Sequence, residues 1–352
     1  CRGGSATTAS SLQVKPLSKH LYIGVLLMGA GLLGLAGGAA RAQAPGESSA
    51  VIKVTCDRDC LIGLARRYMA ALARHDPSSL PLANNVQFTE NDVIIPLGKG
   101  LWRTISKVAP TGLEVADPLT GNAAWFGVVW EHGNPAIYAM RLQVTDGKID
   151  QVETVVHRKT GLPAPFGDPD KVVHDPLFQQ VLPAEARRSR ERLIAVAQSY
   201  FNTVERNDGM VFAHFTDDCG RLENGISTTA APKGGSQGNA ASLAVGCENQ
   251  FKLGIYRINK RVRERRFPIV DTERGVVVAS GFFDHDNSFD HYNLTNGREM
   301  KTALKWPNSI TLLEAFRVNA GDIQRIEAVF TYVPYFMHSP WATGRPYSEL
   351  GQ

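Results

Sequence analysis

The sequence predicts an α+β fold built twice in tandem, each copy an N-terminal helix packed on a curved antiparallel sheet. Three observations predict it. Leu61, Leu64, Ala65, Tyr68 and Leu72 recur at helical spacing, and Leu193, Val196, Ala197, Tyr200 and Val204 repeat them 132 positions later. Phe88-Thr89-Glu90-Asn91-Asp92 is matched by Arg221-Leu222-Glu223-Asn224-Gly225 once a single inserted residue is allowed. Both halves finish alike, with Gly147-Lys148-Ile149-Asp150-Gln151-Val152-Glu153 matching Gly321-Asp322-Ile323-Gln324-Arg325-Ile326-Glu327. An internal repeat of this kind indicates one structural plan used more than once.

Each repeated stripe is the apolar face of a helix, ended by Asp76 or Asp208. Strand pattern follows. Val115-Ala116-Asp117 resembles Ile269-Val270-Asp271, and a β-rich run comes after each, Ala123 to Glu131 and Gly275 to Phe283. Thr145-Asp146-Gly147 and Asn319-Ala320-Gly321 have the composition of hairpin turns. A lone helix and a lone sheet each expose one apolar face, and packing one on the other hides both. The sheet must curl around its helix, which leaves a concave mouth. The expected divisions are 51–160, a proline-rich linker at 161–185 and 186–341. The linker holds Pro163, Pro165, Pro169, Pro176 and Pro183 and is expected to lie along the surface; Ala230 to Ala244 reads as a long loop.

The 352 residues are 43% hydrophobic and 20% charged, which suits about two globular domains and excludes disordered and collagen-like classes. The net charge of +4 is local. Residues 1–42 hold Arg2, Lys15, Lys19 and Arg41 and no acid, so the remainder balances 34 bases against 34 acids. That balance speaks against nucleic acid as a partner. Lys15 and Lys19, the apolar run Leu21 to Ala40 and Ala40-Arg41-Ala42 follow the order of a secretory signal over 1–42. The alternative is a membrane anchor, since about 20 apolar residues span a bilayer; the glycines and the Ala-x-Ala ending favour cleavage. The expected location is secreted or periplasmic, with no membrane contact after cleavage. Cys56, Cys60, Cys219 and Cys247 then remain, an even number that suggests disulfides with three connectivities. Cys56–Cys60 with Cys219–Cys247 is favoured, one in each half. The Cys56-Asp57-Arg58-Asp59-Cys60 string has no His or Cys pair at zinc-ligand spacing nearby.

Helix, then Glu-Asn, then strands ending in Gly147-Lys148-Ile149-x-x-Val152-Glu153 resembles the nuclear transport factor 2-like, or SnoaL-like, superfamily. The second half is most similar to a secreted subfamily of uncharacterised function. It does so through Arg221-Leu222-Glu223-Asn224-Gly225, Arg265-Arg266-Phe267-Pro268-Ile269-Val270-Asp271, Glu273-Arg274-Gly275, Val333-Pro334-Tyr335 and Pro340-Trp341. The resemblance spans nearly all of 55–341. It implies two tandem cone-shaped barrels, each with a pocket in its mouth. Members include cofactor-free isomerases, cyclases, dehydratases, epoxide hydrolases and lyases, and also non-catalytic binders, so the resemblance constrains the fold far more than the chemistry. Members pair through the outer sheet face, which implies an internal pseudo-dimer or a homo-oligomer.

A pocket in such a mouth is apolar with a few polar groups, and the expected partner is a small apolar or aromatic organic molecule. Catalysis without a cofactor needs a base, an acid and an orienting donor. Glu223 is the candidate base, with Arg221, Asn224 and Tyr200 orienting, because a carboxylate walled by apolar groups rises in pKa and carries a proton. The structural alternative has Glu223 pairing with Arg221 and Tyr200 in the core. Glu90 and Asn91 share the argument, but Phe88 stands in the place of Arg221. His157 and Glu153 lie four apart on one strand, hence on one face, and can form a His–carboxylate pair; the alternative is a solvent-facing strand. Trp125, Trp130 and Tyr138 can stack a ring or fill a core. Asp284, Asp286, Ser288 and Asp290 alternate like a calcium loop, but Phe289 replaces the turn glycine and Thr295 stands where a bidentate Glu is needed, so no metal is expected. His285 can instead face the cavity. Gly234-Gly235-Ser236-Gln237-Gly238 lacks the preceding strand of a nucleophile elbow. Arg261, Arg263 and Arg265 alternate on what reads as one solvated or interface face. Asn293-Leu294-Thr295 is a glycosylation sequon, usable only in a eukaryotic secretory route. The expected function is an exported small-molecule binder with lyase, isomerase or hydrolase activity; the alternative is a non-catalytic binding or self-association module.

Overall fold

The computed structural model describes residues 56–160, 164–229 and 243–342. The 1–42 signal and the Gly234–Gly238 motif lie outside them. The first half opens on helix α1 (Arg58–Ala73), started by Asp57, whose carboxylate accepts the Cys60 amide at 2.9 Å. The Leu61–Leu72 stripe is its buried face. Then come β1 (Leu82–Glu90), β2 (Val93–Ile94), the one-turn α2 (Leu101–Thr104), β3 (Ile105–Val108), β4 (Leu113–Asp117), β5 (Asn122–Glu131), β6 (Asn134–Thr145) and β7 (Lys148–Arg158). Their order across the sheet is β2-β1-β7-β6-β5-β3, with β4 also on β5.

The second half repeats this with α3 (Arg190–Arg206), β8 (Phe215–Glu223), β9 (Ile226–Ser227), α4 (Cys247–Leu253), β10 (Arg261–Asp271), β11 (Val276–His285), β14 (Asn308–Asn319) and β15 (Asp322–Val333), in sheet order β10-β11-β14-β15-β8-β9. Between β11 and β14 stands a separate hairpin, β12 (His291–Asn293) with β13 (Glu299–Lys301). Neither α4 nor this hairpin is expected from the sequence. Two further expectations need correction. Each sheet contains one parallel pair, β1 with β7 and β8 with β15, because the chain enters β1 and β8 from a helix rather than from a hairpin turn. The described strands also leave both sheets open at their edges. In each half the helix packs on one sheet face, so that apolar face is covered without closure.

Strand alternation divides the apolar residues cleanly. One face of the first sheet packs Trp125, Tyr138, Met140 and Val152 around α1, and the matching face of the second packs Val277, Ala279, Leu312 and Phe316 around α3. The opposite faces meet each other: Phe126, Val128, Ala139 and Val155 from one sheet join Val276, Val278, Leu313 and Val329 from the other. The junction is reciprocal. Asp117 on β4 accepts Arg190 at the start of α3 at 2.6 Å, and Asp271 on β10 accepts Arg58 at the start of α1. Such an exchange of like for like is what a two-fold contact produces. The linker runs over the two halves and is pinned to them. Phe178 is buried in the inter-sheet cluster, and Asp175 and His174 bond Arg325 and Glu327 of β15.

Arg261, Arg263 and Arg265 do not share one face. Glu264 takes φ 51° and shifts the β10 register, so Arg263 turns inward to Asp284 at 2.8 Å while Arg265 reaches Glu205 at 2.7 Å.

Both favoured disulfides are present: Cys56–Cys60 staples the start of α1, and Cys219–Cys247 ties β8 to α4 across 28 residues of sequence. Closing a loop of that length stabilises by about 3–4 kcal/mol through the unfolded chain. Paired Cys219→Ser and Cys247→Ser substitutions should therefore lower the midpoint of thermal unfolding measurably. Thiol titration of native protein should find no free thiol among the four cysteines, and four free thiols would refute the pairing.

Candidate functional site

The second half holds an open cavity of about 310 Å³ between α3, the sheet face that packs on it and the β12–β13 hairpin. Phe283, Ile310, Leu312 and Phe330 from the sheet give it apolar walls, and Tyr292, Thr302 and Leu304 from the hairpin region close one side. Polar groups reach it from several elements. Tyr200 enters from α3, Glu223 from the last position of β8, Glu314 from the middle of β14, and Tyr256 from the loop after α4.

These side chains form one electrostatic unit. Arg221 is fully buried; it donates to the Tyr256 hydroxyl and lies 3.3 Å from Glu223. Its guanidinium stacks over the rings of Phe251 and Tyr256 at 5.2 and 4.8 Å. Glu314 is buried, and removal from water raises its pKa to about 8, helped by the neighbouring charge of Glu223 and opposed by Arg221 and a hydrogen bond from Tyr200. It is therefore largely protonated at neutral pH. Its Oε2 atom is buried with no hydrogen-bond partner. Burial also drives Tyr200 and Tyr256 well up, so both remain phenols. The cavity thus carries a protonated carboxyl and an arginine-paired carboxylate on one apolar space.

His285 also lines the cavity, with its Nδ1 3.2 Å from Asn308 Oδ1 and its Nε2 2.7 Å from Asn259 Oδ1. Burial lowers its pKa, which keeps the ring neutral. A neutral imidazole has one N–H, so one of the two amides must turn its NH₂ toward the ring.

The remaining sequence candidates stand elsewhere. Asn224 is a clip: at φ 44° its amide donates to Phe330 O and accepts Phe330 N, pinning β8 to β15. Asn91 does the same to Val156 in the first half. Glu90 accepts Arg158 and the Leu101 amide. Trp125 and Tyr138 are buried in the first-half core, 6.1 Å apart. Glu153 and His157 do share a face, but it is the face covered by the second sheet, not solvent. Glu153 is held by Arg141 at 2.8 Å and by Arg266, while His157 packs between Phe166 and Phe330. Burial lowers the His157 pKa to about 4. Asp284 is bonded to Arg263 and Ser309. Among the described residues no group of His, Cys, Asp and Glu has the arrangement of a metal site.

Sequence reasoning missed Glu314, Tyr256 and Asn259. A signal for Glu314 exists: Ile310, Leu312, Phe316 and Val318 alternate on one face of β14, and Glu314 is the acid in that apolar series. Tyr256 and Asn259 lie in a connection with no periodicity to read.

No curated protein matches this chain. Among solved structures it is similar to a candidate ketosteroid isomerase from Kribbella flavida DSM 17836, at 19% identity over 33% of this chain and 90% of that one, with a TM-score of 0.22. It is also similar to AclR, a candidate hydroxylase from Streptomyces galilaeus, at 13% identity over 41% and 91%, with a TM-score of 0.24. A protein from Sphaerobacter thermophilus matches at 21% identity over 27% and 94%, with a TM-score of 0.19. Residues 186–330, the second half, match the family model described as a domain of unknown function, DUF8021.

Proposed function

We propose that the second half binds a small, largely apolar organic molecule and moves a proton on it by acid–base chemistry without a cofactor, as an isomerase, lyase or hydrolase does. One observation carries this reading: Glu223, paired with Arg221, and Glu314, whose burial raises its pKa to about 8, open on the same apolar cavity. Two carboxyl groups in unlike surroundings, one buried without a charge partner and one beside a guanidinium, are how a site divides acid from base. Glu223 takes a proton from carbon, Glu314 gives its proton to the ligand oxygen, and Tyr200 and Arg221 position the two carboxyls. The first half, whose interior is packed with Trp102, Trp125, Tyr138 and Met140, serves as scaffold. Two disulfides suit an oxidising compartment, in keeping with export, and no helix among the described residues is long and apolar enough to cross a membrane.

The test is solvent deuterium exchange into a cyclic aromatic ketone such as 2-tetralone, followed by NMR. The intact protein should accelerate exchange, and Glu223→Gln should slow it by about 100-fold or more with an unchanged unfolding midpoint. Equal rates for the two proteins would remove Glu223 as base. The Arg221–Glu223 ion pair favours a second reading, a non-catalytic binder, because pairing weakens a base. In that case ketone binding is retained and exchange never exceeds the buffer rate.

A further inference from the structure

The two halves can be aligned through their strand registers, and the comparison shows what the cavity replaces. In the first half Asn91 clips Val156, Val156 lies opposite Tyr138, and Tyr138 lies opposite Gly127. In the second Asn224 clips Phe330, Phe330 lies opposite Leu312, and Leu312 lies opposite Gly281. Leu312 therefore occupies the Tyr138 position, and by the same registers Glu314 takes the place of Met140 and Ala279 that of Trp125. A fourth pair follows from geometry. Trp102 meets Tyr68 edge-on at 5.3 Å, and the smaller Phe251 meets Tyr200 edge-on at 5.5 Å.

The first half thus carries, as its own side chain, a phenol ring that the second half lacks. Tyr138 is buried there, and its hydroxyl is hydrogen-bonded to that of Tyr68, the counterpart of Tyr200 on the helix. In the second half Leu312 lines open space, Tyr200 faces it, and the buried Oε2 of Glu314 has no partner. Phe283, Phe330, Tyr256 and Tyr292 stand around that space with ring faces and edges for a flat guest.

We propose that the cavity takes a hydroxylated aromatic molecule, whose ring fills the volume that Tyr138 fills in the first half and whose hydroxyl meets Tyr200 and Glu314. This rests on the reading that the cavity binds small organic molecules and narrows it to one class. The ring matches the vacated shape, and the hydroxyl satisfies a buried oxygen that an alkane or bare arene leaves unpaired.

Three probes of similar size decide the matter by calorimetric or fluorescence titration of the intact protein: 2-naphthol, 2-methylnaphthalene and decahydro-2-naphthol. The 2-naphthol should bind at least about tenfold tighter than either of the others, since 2-methylnaphthalene loses the hydrogen bond and decahydro-2-naphthol loses the flat ring. Leu312→Tyr, which installs the first-half side chain, should weaken 2-naphthol at least about tenfold, and Tyr200→Phe, which removes one of the two partners of the hydroxyl, should narrow its margin over 2-methylnaphthalene. Equal binding of all three probes would overturn the aromatic-hydroxyl assignment and leave the small-molecule reading standing. Binding of none of them, with the protein folded, would overturn both. Should Leu312→Tyr fail to fold, the ranking of the probes on the unaltered protein still decides.

Discussion

Replacing Glu314 by Gln should make the protein more stable at neutral pH while removing its acid. The pKa of Glu314 rises from 4.5 to about 8 in the fold, chiefly because the ionised form cannot be solvated there. A raised carboxyl favours the folded state fully only below the unfolded value. That support is lost as pH climbs from about 4.5 to about 8, and at pH 7 the deficit is about 3 kcal/mol. Gln has no such dependence and can still accept from Tyr200. Urea unfolding at pH 5, 7 and 8.5 should show stability falling with pH in the unaltered protein and a shallower fall in Glu314→Gln, with a gain of about 3 kcal/mol at pH 7. The same substitution should slow ketone exchange by about 100-fold or more. Identical pH slopes would mean that Glu314 ionises freely and cannot be the acid. A site residue whose removal stabilises the fold is the expected pattern where function holds a group in an unfavourable state.

Glu153→Gln should do the opposite. Glu153 is buried between the sheets, bonded to Arg141 of its own sheet and to Arg266 of the other. Despite burial, the two guanidinium groups lower its pKa to about 2. A lowered carboxyl contributes stability that is complete above the unfolded value of 4.5 and is lost as pH falls toward 2, in all about 3 kcal/mol. Removing the charge also leaves two buried cations facing each other, and breaking such a network costs about 3–5 kcal/mol. Denaturant unfolding at pH 7 should register that loss. Acid titration should show the unaltered protein losing stability between pH 4.5 and 2 where the variant, already weakened, changes less. A variant as stable as the original at pH 7 would show that the apolar inter-sheet cluster alone holds the halves together. Glu153 stands on the face away from the cavity, so 2-naphthol affinity of the folded variant should stay within about twofold of the original.

The contrast between these two acids locates the boundary of sequence reading. The helix stripes, the repeated Glu-Asn turns and the terminal hairpins were legible because each depends on neighbours a few residues away, and local periodicity encodes which face is apolar. The pairing of Cys219 with Cys247 was legible as one of three connectivities. The candidate site was legible only in part. Tyr200, Glu223 and His285 were marked by the repeat or by chemical type, and the fold brings all three to one cavity. Asn224 belongs to the same motif as Glu223 yet serves the backbone, because the residue after a strand end at positive φ turns its amide to the adjacent strand.

Trp125 and Tyr138 had the composition of a ligand platform, but whether an aromatic face is covered or open depends on what stands opposite it. By itself the sequence determined that a helix followed by strands occurs twice and which faces of those elements are apolar. The tertiary structure decided which half is hollow, which carboxyl is protonated and which is locked between arginines. Those properties follow from packing volume and from the dielectric around a charge, and both are set by residues far apart in the chain: Glu153 answers to Arg266, and Glu314 to Tyr200, Arg221 and Glu223.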